Sequence, residues 1–234
     1  FLDASSLIAY MRILLNEEIQ NYKGQDNDKL DDILEKCKCT QLGETQQGGS
    51  FYKLMERMVE LPDGTIQKIQ FVKKKPAAIV LAITKNNEFV CIVQPIANCS
   101  EGVLPEFPAG YLEETEEATK AALRELLEET GFETKKVICL GYHYQDSDIN
   151  GERVYGYCAL DCNQVSEQVL DKGEYIKTVL LSQEEIKKAI ISGKLLDANS
   201  LIVFMKMLLF RERIQGLEKG KETKANKNID LIHE

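Results

Sequence analysis

Between Gly110 and Phe132 the chain carries a carboxylate-rich stretch that admits little besides a helix. From Glu116 to Glu129 no proline or glycine intervenes, and the strong helix formers Ala, Leu, Glu, Lys and Arg dominate. Thr115 is placed to cap its start, and Gly131 to end it in the left-handed conformation that glycine adopts cheaply. Ala118, Ala122 and Leu126, with Leu123 beside them, form one apolar stripe. Glu125, Glu128 and Glu129 stand at i, i+3 and i+4, so their side chains project from one face. Three carboxylates so close repel one another unless cations lie between them. A solvated acidic face and an oxygen-only site for magnesium or manganese both answer this pattern.

The order of residues adds to this reading. Gly110, five residues, Glu116, seven residues, Arg124-Glu125, the aliphatic Leu126, one residue, Glu128-Glu129, one residue, Gly131 and the apolar Phe132 follow in turn. These positions reproduce the Nudix box, and the chain resembles the Nudix hydrolase superfamily. The resemblance implies an α/β fold, an α/β/α sandwich with a mixed sheet, in which a loop–helix–loop holds divalent metal against a diphosphate. It also implies metal ligands at the Ala109 carbonyl, Glu125, Glu128 and Glu129. Arg124 is then expected to orient the box carboxylates, with Glu116 as its partner, and Glu128 is one candidate base.

Composition narrows the partners. At 234 residues and 44% hydrophobic, the chain can bury one domain's core and carry appendages. A net charge of −9 argues against nucleic acid and anionic membranes, which both want basic surface. Seven cysteines lack tight metal spacing, and Cys37 and Cys39 lack two further zinc ligands, so reduced thiols in a cytoplasm are expected. No signal peptide is evident, and a first residue other than Met points to a trimmed or processed chain.

Residues 1–47 read as a helical extension. Leu7, Ile8, Met11, Leu14, Leu15 and Ile19 give one stripe, and Leu30, Ile33 and Leu34 a second, after a break at Lys23-Gly24. Asp3 and Arg12 leave the first too short to span a membrane, so packing on the core or on a second subunit is expected. Residues 48–75 hold a hairpin, Tyr52–Glu60 and Thr65–Val72 joined by Leu61-Pro62-Asp63-Gly64. Within 76–215, the apolar runs Pro76–Thr84 and Phe89–Val93 read as central strands. Val137–Tyr144 and Arg153–Leu160 read as a pair of strands flanking a polar loop, Gln145–Glu152. Ser182 and Glu185 form a capping box, and Asn199–Gln215 a core helix. Residues 216–234 read as a flexible tail. His143 reads as a satisfied strand residue, and Tyr142 and Tyr144 either as sheet aromatics or as faces for a base or sugar.

Within the superfamily, Glu106-Phe107-Pro108-Ala109-Gly110 resembles the approach to the box in the ADP-ribose and nucleoside-diphosphate-sugar pyrophosphatase branch. The match makes Glu106 a candidate metal or substrate contact. By the same resemblance Glu174 is a candidate general base or extra metal ligand, and Glu152 a candidate substrate contact. A homodimer built through the hairpin is likewise implied. Two segments depart from the branch: Gln94-Pro95-Ile96 stands for its Gln-Tyr-Arg, and Gln145–Asp148 for its Ser-Pro-Gly turn. The implied activity is Mg2+-dependent hydrolysis of a nucleoside diphosphate linked to a sugar, Mn2+ being a possible substitute. The alternatives are another diphosphate, such as a dinucleoside polyphosphate, NAD or coenzyme A, and a non-catalytic module that senses a nucleotide.

Overall fold

The computed structural model describes residues 28–37 and 52–210. In chain order it forms α1 (Asp28–Cys37), β1 (Lys53–Glu60), β2 (Ile66–Lys73), β3 (Ala77–Thr84), β4 (Phe89–Pro95), β5 (Val103–Glu106) and β6 (Ala109–Tyr111). There follow α2 (Ala118–Thr130), β7 (Phe132–Glu133), β8 (Lys136–Asp146), β9 (Asn150–Gln164), β10 (Lys177–Leu181), α3 (Gln183–Ile191) and α4 (Ala198–Leu209).

The apolar run of β3 is continuous because both of its faces are covered. Ala78, Val80 and Ala82 meet Ala121, Ala122 and Leu126 of α2. Ile79 and Leu81, pointing the other way, join Leu30 of α1, Ile186 of α3 and Val203 and Phe204 of α4. The result is an α/β/α sandwich. Its sheet runs β10-β4-β3-β9, and β3 lies parallel to β9 in an otherwise antiparallel set, so the sheet is mixed.

A split in that sheet prepares the site. β3 and β4 pair at Ala82 with Val90 and Ile83 with Phe89, and beyond this β5 continues on β4 while β6 continues on β3. The link Phe107-Pro108 crosses from one ladder to the other, and the Pro108 carbonyl accepts the Val80 amide at 2.9 Å.

Helix α2 ends at Gly131 as expected, with φ 74° and its amide donating to Leu127 O at 2.8 Å. Its start differs from expectation. The N-cap is Glu117, without a side-chain cap bond, and Thr115 instead adopts a positive φ of 65° inside the preceding turn. Glu116, turned back to hold the Glu113 amide at 2.9 Å and Arg124, shapes that turn in place of a threonine cap.

One further expectation is corrected, and others fall outside the described residues. The polar loop Gln145–Glu152 is a tight turn, because Asp146 pairs with Asn150 and both strands run longer than their apolar patterns. The final helix spans Ala198–Leu209, and its expected extension to Gln215 lies outside the described residues, as do the first stripe of the amino-terminal extension and the tail. The second stripe packs on the core through Leu30, Ile33 and Leu34, and an ion pair joins Asp31 to Lys194. The capping box at Ser182 and Glu185 forms as the spacing indicated. No helix among the described residues is long and apolar enough to cross a membrane.

Candidate active site

Arg124 gathers the box carboxylates. Its Nε donates to Glu116 Oε1 at 2.9 Å, and its Nη1 to Glu125 Oε1 at 2.7 Å and Glu128 Oε2 at 3.0 Å. Its Nη2 reaches Glu116 Oε2 at 3.0 Å and the Tyr111 carbonyl at 3.2 Å, which ties the helix to the end of β6 and the turn after it. The guanidinium holds Glu116 below the ordinary carboxylate range, and Glu116 in turn raises Arg124. A planar fork with five donors suits this clamp, where a lysine's point charge would not.

Glu125 and Glu129 turn inward. The carboxylate of Glu125 lies over Gly110, where an added Cβ would stand 1.9 Å from Oε1, so a side chain there would displace it. Glu129 Oε2 accepts the Ala109 amide at 3.0 Å. Burial, opposed by Arg124, raises Glu125 above the usual carboxylate range. Burial, then repulsion from Glu125, pushes Glu129 up to about 9. Glu128 is more open, with 45% of its side chain exposed against 14% for Glu125, and so faces solvent at the cluster's edge.

The loop after β9 closes the cluster from the far end of α2. Val169 donates to Glu128 O at 2.8 Å, and the Gln168 and Thr178 side chains donate to Glu129 O, satisfying carbonyls that a helix end leaves open. The wrap carries Glu174 close enough to repel both Glu125 and Glu129, while Asp171 N donates to Glu174 Oε2 at 3.0 Å. Glu106 adds to the repulsion on Glu129 from the loop side. It accepts Gln94 Nε2 at 3.0 Å, and burial, with Asp197 beside it, raises it to about 7.

The structure thus draws Glu106, Ala109, Arg124, Glu125, Glu128, Glu129 and Glu174 into one neighbourhood. Glu152 stands apart on β9, two residues before the Val154 that pairs with Ala77, and no hydrogen bond or ion pair joins it to the box carboxylates among the described residues. Tyr142 and Tyr144 pack edge to face at 5.9 Å, with Arg153 over the Tyr142 ring at 4.5 Å.

The donors fit a hard divalent cation in kind. They are all oxygens, and the two inner carboxylates are buried beside one another with a single guanidinium between them and neutrality. In the arrangement described, no three acidic, histidine or cysteine side chains already converge as a ligand set among the described residues. Arg124 bridges Glu125 and Glu128 instead.

The supporting roles of Gln94, Asp197 and Ser200 were not read from the sequence. Gln94 holds Glu106, Asp197 Oδ2 caps α4 through the Ser200 amide at 2.7 Å, and Ser200 Oγ accepts the Phe107 amide at 2.9 Å. The Asp-x-x-Ser spacing at 197–200 signalled the cap, but nothing local signalled the partner 93 residues away.

Behind the sheet, His143 Nε2 pairs with Asn199 Oδ1 at 3.0 Å, and its Nδ1 is buried without a partner among the described residues. Burial lowers the imidazole from 6.5 to about 4, with Lys206 adding to the effect and the Asn199 bond opposing it. The unfolded chain therefore binds the extra proton first as pH drops from 6.5 toward about 4. This site's contribution is complete above that window and is lost as pH falls through it, by up to about 3 kcal/mol. The melting temperature of His143→Gln, whose amide can still donate to Asn199, should decline less over the same pH range. Wild-type and variant curves that run parallel would exclude the assignment.

Comparison with known proteins bears on the family and the fold. A family model described as the NUDIX domain matches residues 73–198. An ADP-ribose pyrophosphatase of Bacillus subtilis (strain 168) is 31% identical over 169 residues, covering 72% of this chain and 90% of that protein. A methanol dehydrogenase activator of Bacillus methanolicus is 30% identical over 155 residues, 66% of this chain and 83% of that protein. The crystal structure of an ADP compounds hydrolase superposes with a TM-score of 0.60 at 20% identity, covering 79% of this chain and 97% of that one, which supports the fold. Nudix hydrolases generally use divalent metal ions. From the box geometry, the family match and the relatives together, the chain belongs to the Nudix family, a pyrophosphohydrolase on its ADP-ribose pyrophosphatase branch.

Proposed function

We propose that the protein hydrolyses the diphosphate bond of a nucleoside diphosphate linked to a sugar, ADP-ribose foremost, giving a nucleoside monophosphate and a sugar phosphate. The observation that carries this reading is the set of box carboxylates drawn around Ala109 and Gly110, with Arg124 and Glu174 beside them. Magnesium, or manganese in its place, would supply positive charge to the phosphate oxygens and acidify a bound water. Glu125, Glu128, Glu129 and the Ala109 carbonyl are its candidate ligands, and all are oxygen donors as that ion requires.

Water adds across the anhydride: its oxygen bonds to one phosphorus, the bridging bond breaks, and its proton passes to a carboxylate. Glu174 is the candidate base, lying near Glu125 and Glu129 without being part of the box helix. Glu128, the more exposed box carboxylate, is the rival. Arg124 orients Glu125 and Glu128. Glu106 and Glu152 are proposed to contact substrate. The six free cysteines among the described residues accord with a reducing cytoplasm.

A homodimer through the β1–β2 ribbon belongs to the same reading. The ribbon leaves Leu54 71%, Met58 64% and Ile66 68% exposed, and Val72 N donates to Ile149 O, in the turn between β8 and β9, at 2.7 Å. Two strands alone need something to lean on. Light scattering that finds a fully active monomer would remove the dimer.

The relative described as a methanol dehydrogenase activator favours a second reading, in which another diphosphate is the substrate or a partner is regulated. A hydrolysis screen with magnesium over ADP-ribose, other ADP-, GDP- and UDP-sugars, dinucleoside polyphosphates, NAD and coenzyme A separates the two. AMP and ribose 5-phosphate from ADP-ribose are expected. Cleavage confined to NAD or coenzyme A, or none despite bound metal, would favour the second.

A further inference from the structure

A serine fully buried in a helix of leucine, isoleucine, valine, phenylalanine and methionine needs a partner for its hydroxyl, or it weakens the helix that holds it. Ser200 finds one outside the helix, in the Phe107 amide at 2.9 Å. The Phe107 side chain is anchored on the same side, its ring 6.4 Å from Phe89, which packs 5.9 Å from Phe204 one turn along α4. The next carbonyl, of Pro108, is held by β3, and the next amide, of Ala109, by Glu129. Three consecutive residues are therefore fixed by three elements, and only the first of these anchors lies outside the box and its supporting strand.

The crossing at Phe107-Pro108 belongs to neither ladder, because it fills the place where β3 and β4 part; one bond to Val80 of β3 and one to Ser200 hold its backbone. Its position is set by whatever bonds it. We propose that Ser200 is a positioning residue for hydrolysis, holding the 107–109 backbone so that Ala109 meets Glu129. This rests on the reading of the box as the metal-binding site. Ser200 does not touch substrate; it acts through the loop.

The test uses the full chain carrying Ser200→Ala, with Ile202→Val, buried on the same helix, as a control for lost packing. Three quantities are read: the Mn2+ dissociation constant by paramagnetic resonance, kcat and KM for the best substrate, and amide exchange at Phe107 and Ala109 in the metal-free protein. Ser200→Ala is expected to weaken Mn2+ binding by about 10-fold, the size of effect that supporting contacts to metal ligands give, and to lower kcat similarly with KM unchanged. Both amides should exchange faster. Ile202→Val should lower the melting temperature without these changes. Wild-type Mn2+ affinity and turnover in Ser200→Ala, or equal losses in Ile202→Val, would overturn the proposal. Glu129→Gln tells the two failures apart: if it loses Mn2+ affinity while Ser200→Ala keeps it, this inference alone fails. If Glu129→Gln binds Mn2+ as wild type does, the underlying reading of the box fails with it.

Discussion

Replacing Glu129 by Gln should slow hydrolysis by at least about 10²-fold while raising the melting temperature of the metal-free protein. The two effects have one origin. Glu129 is 6% exposed and stands near Glu125, Glu174 and Glu106, so its charge is disfavoured until a cation arrives. Near neutral pH the metal-free fold therefore has to keep Glu129 protonated, whereas the unfolded glutamate is ionised; a neutral amide of the same shape still accepts the Ala109 amide and avoids that cost. A gain of about 2–4 °C is expected, the shift that ~1 kcal/mol produces in a chain of this size. The gain should disappear in saturating magnesium, which stabilises the wild type by mass action and the variant much less. Kinetics together with calorimetry, with and without magnesium, decide the matter. A variant that turns over at the wild-type rate would show that Glu129 has no part in the reaction.

Gly110→Ala should lose activity to a similar extent, about 10²-fold, with little change in melting temperature. The added methyl would overlap Glu125 Oε1, Cδ and Oε2, at 1.9, 2.2 and 2.7 Å. All three atoms sit at the end of a flexible side chain, and Gly110 does not adopt a positive φ, so the fold yields at the carboxylate rather than at the backbone. Displacing that carboxylate breaks its bond to Arg124 and moves a candidate metal ligand. Pairing Gly110→Ala with Glu125→Gln tests the mechanism. If the glycine acts by making room for Glu125, the double variant should be no worse than the worse single one; additive losses would assign Gly110 another role.

How far the sequence alone could be read varies with the distance over which each interaction acts. The box helix, its glycine stop, the capping box at Ser182 and the central strands all depend on neighbours within a few residues, and those neighbours appear in the sequence as spacing and periodicity. The pairing of Arg124 with Glu116 was also legible, because only eight residues of one turn and the helix it opens separate them. The threonine cap failed because Glu116 answers a more distant cation, and that bond reshapes the turn in which Thr115 lies.

The sequence by itself determined that the chain is a Nudix protein, which carboxylates stand together and which helix carries them, because those facts are written at fixed offsets along one element. Only the tertiary structure decided which carboxylates face inward, that Glu174 comes to them and Glu152 does not, and that Ser200 holds the loop opposite Glu129. Burial, repulsion between buried charges and the bonding of an unpaired amide are properties of space. A residue 93 positions away in the chain can supply the hydroxyl that an amide needs, and no local pattern records that it does.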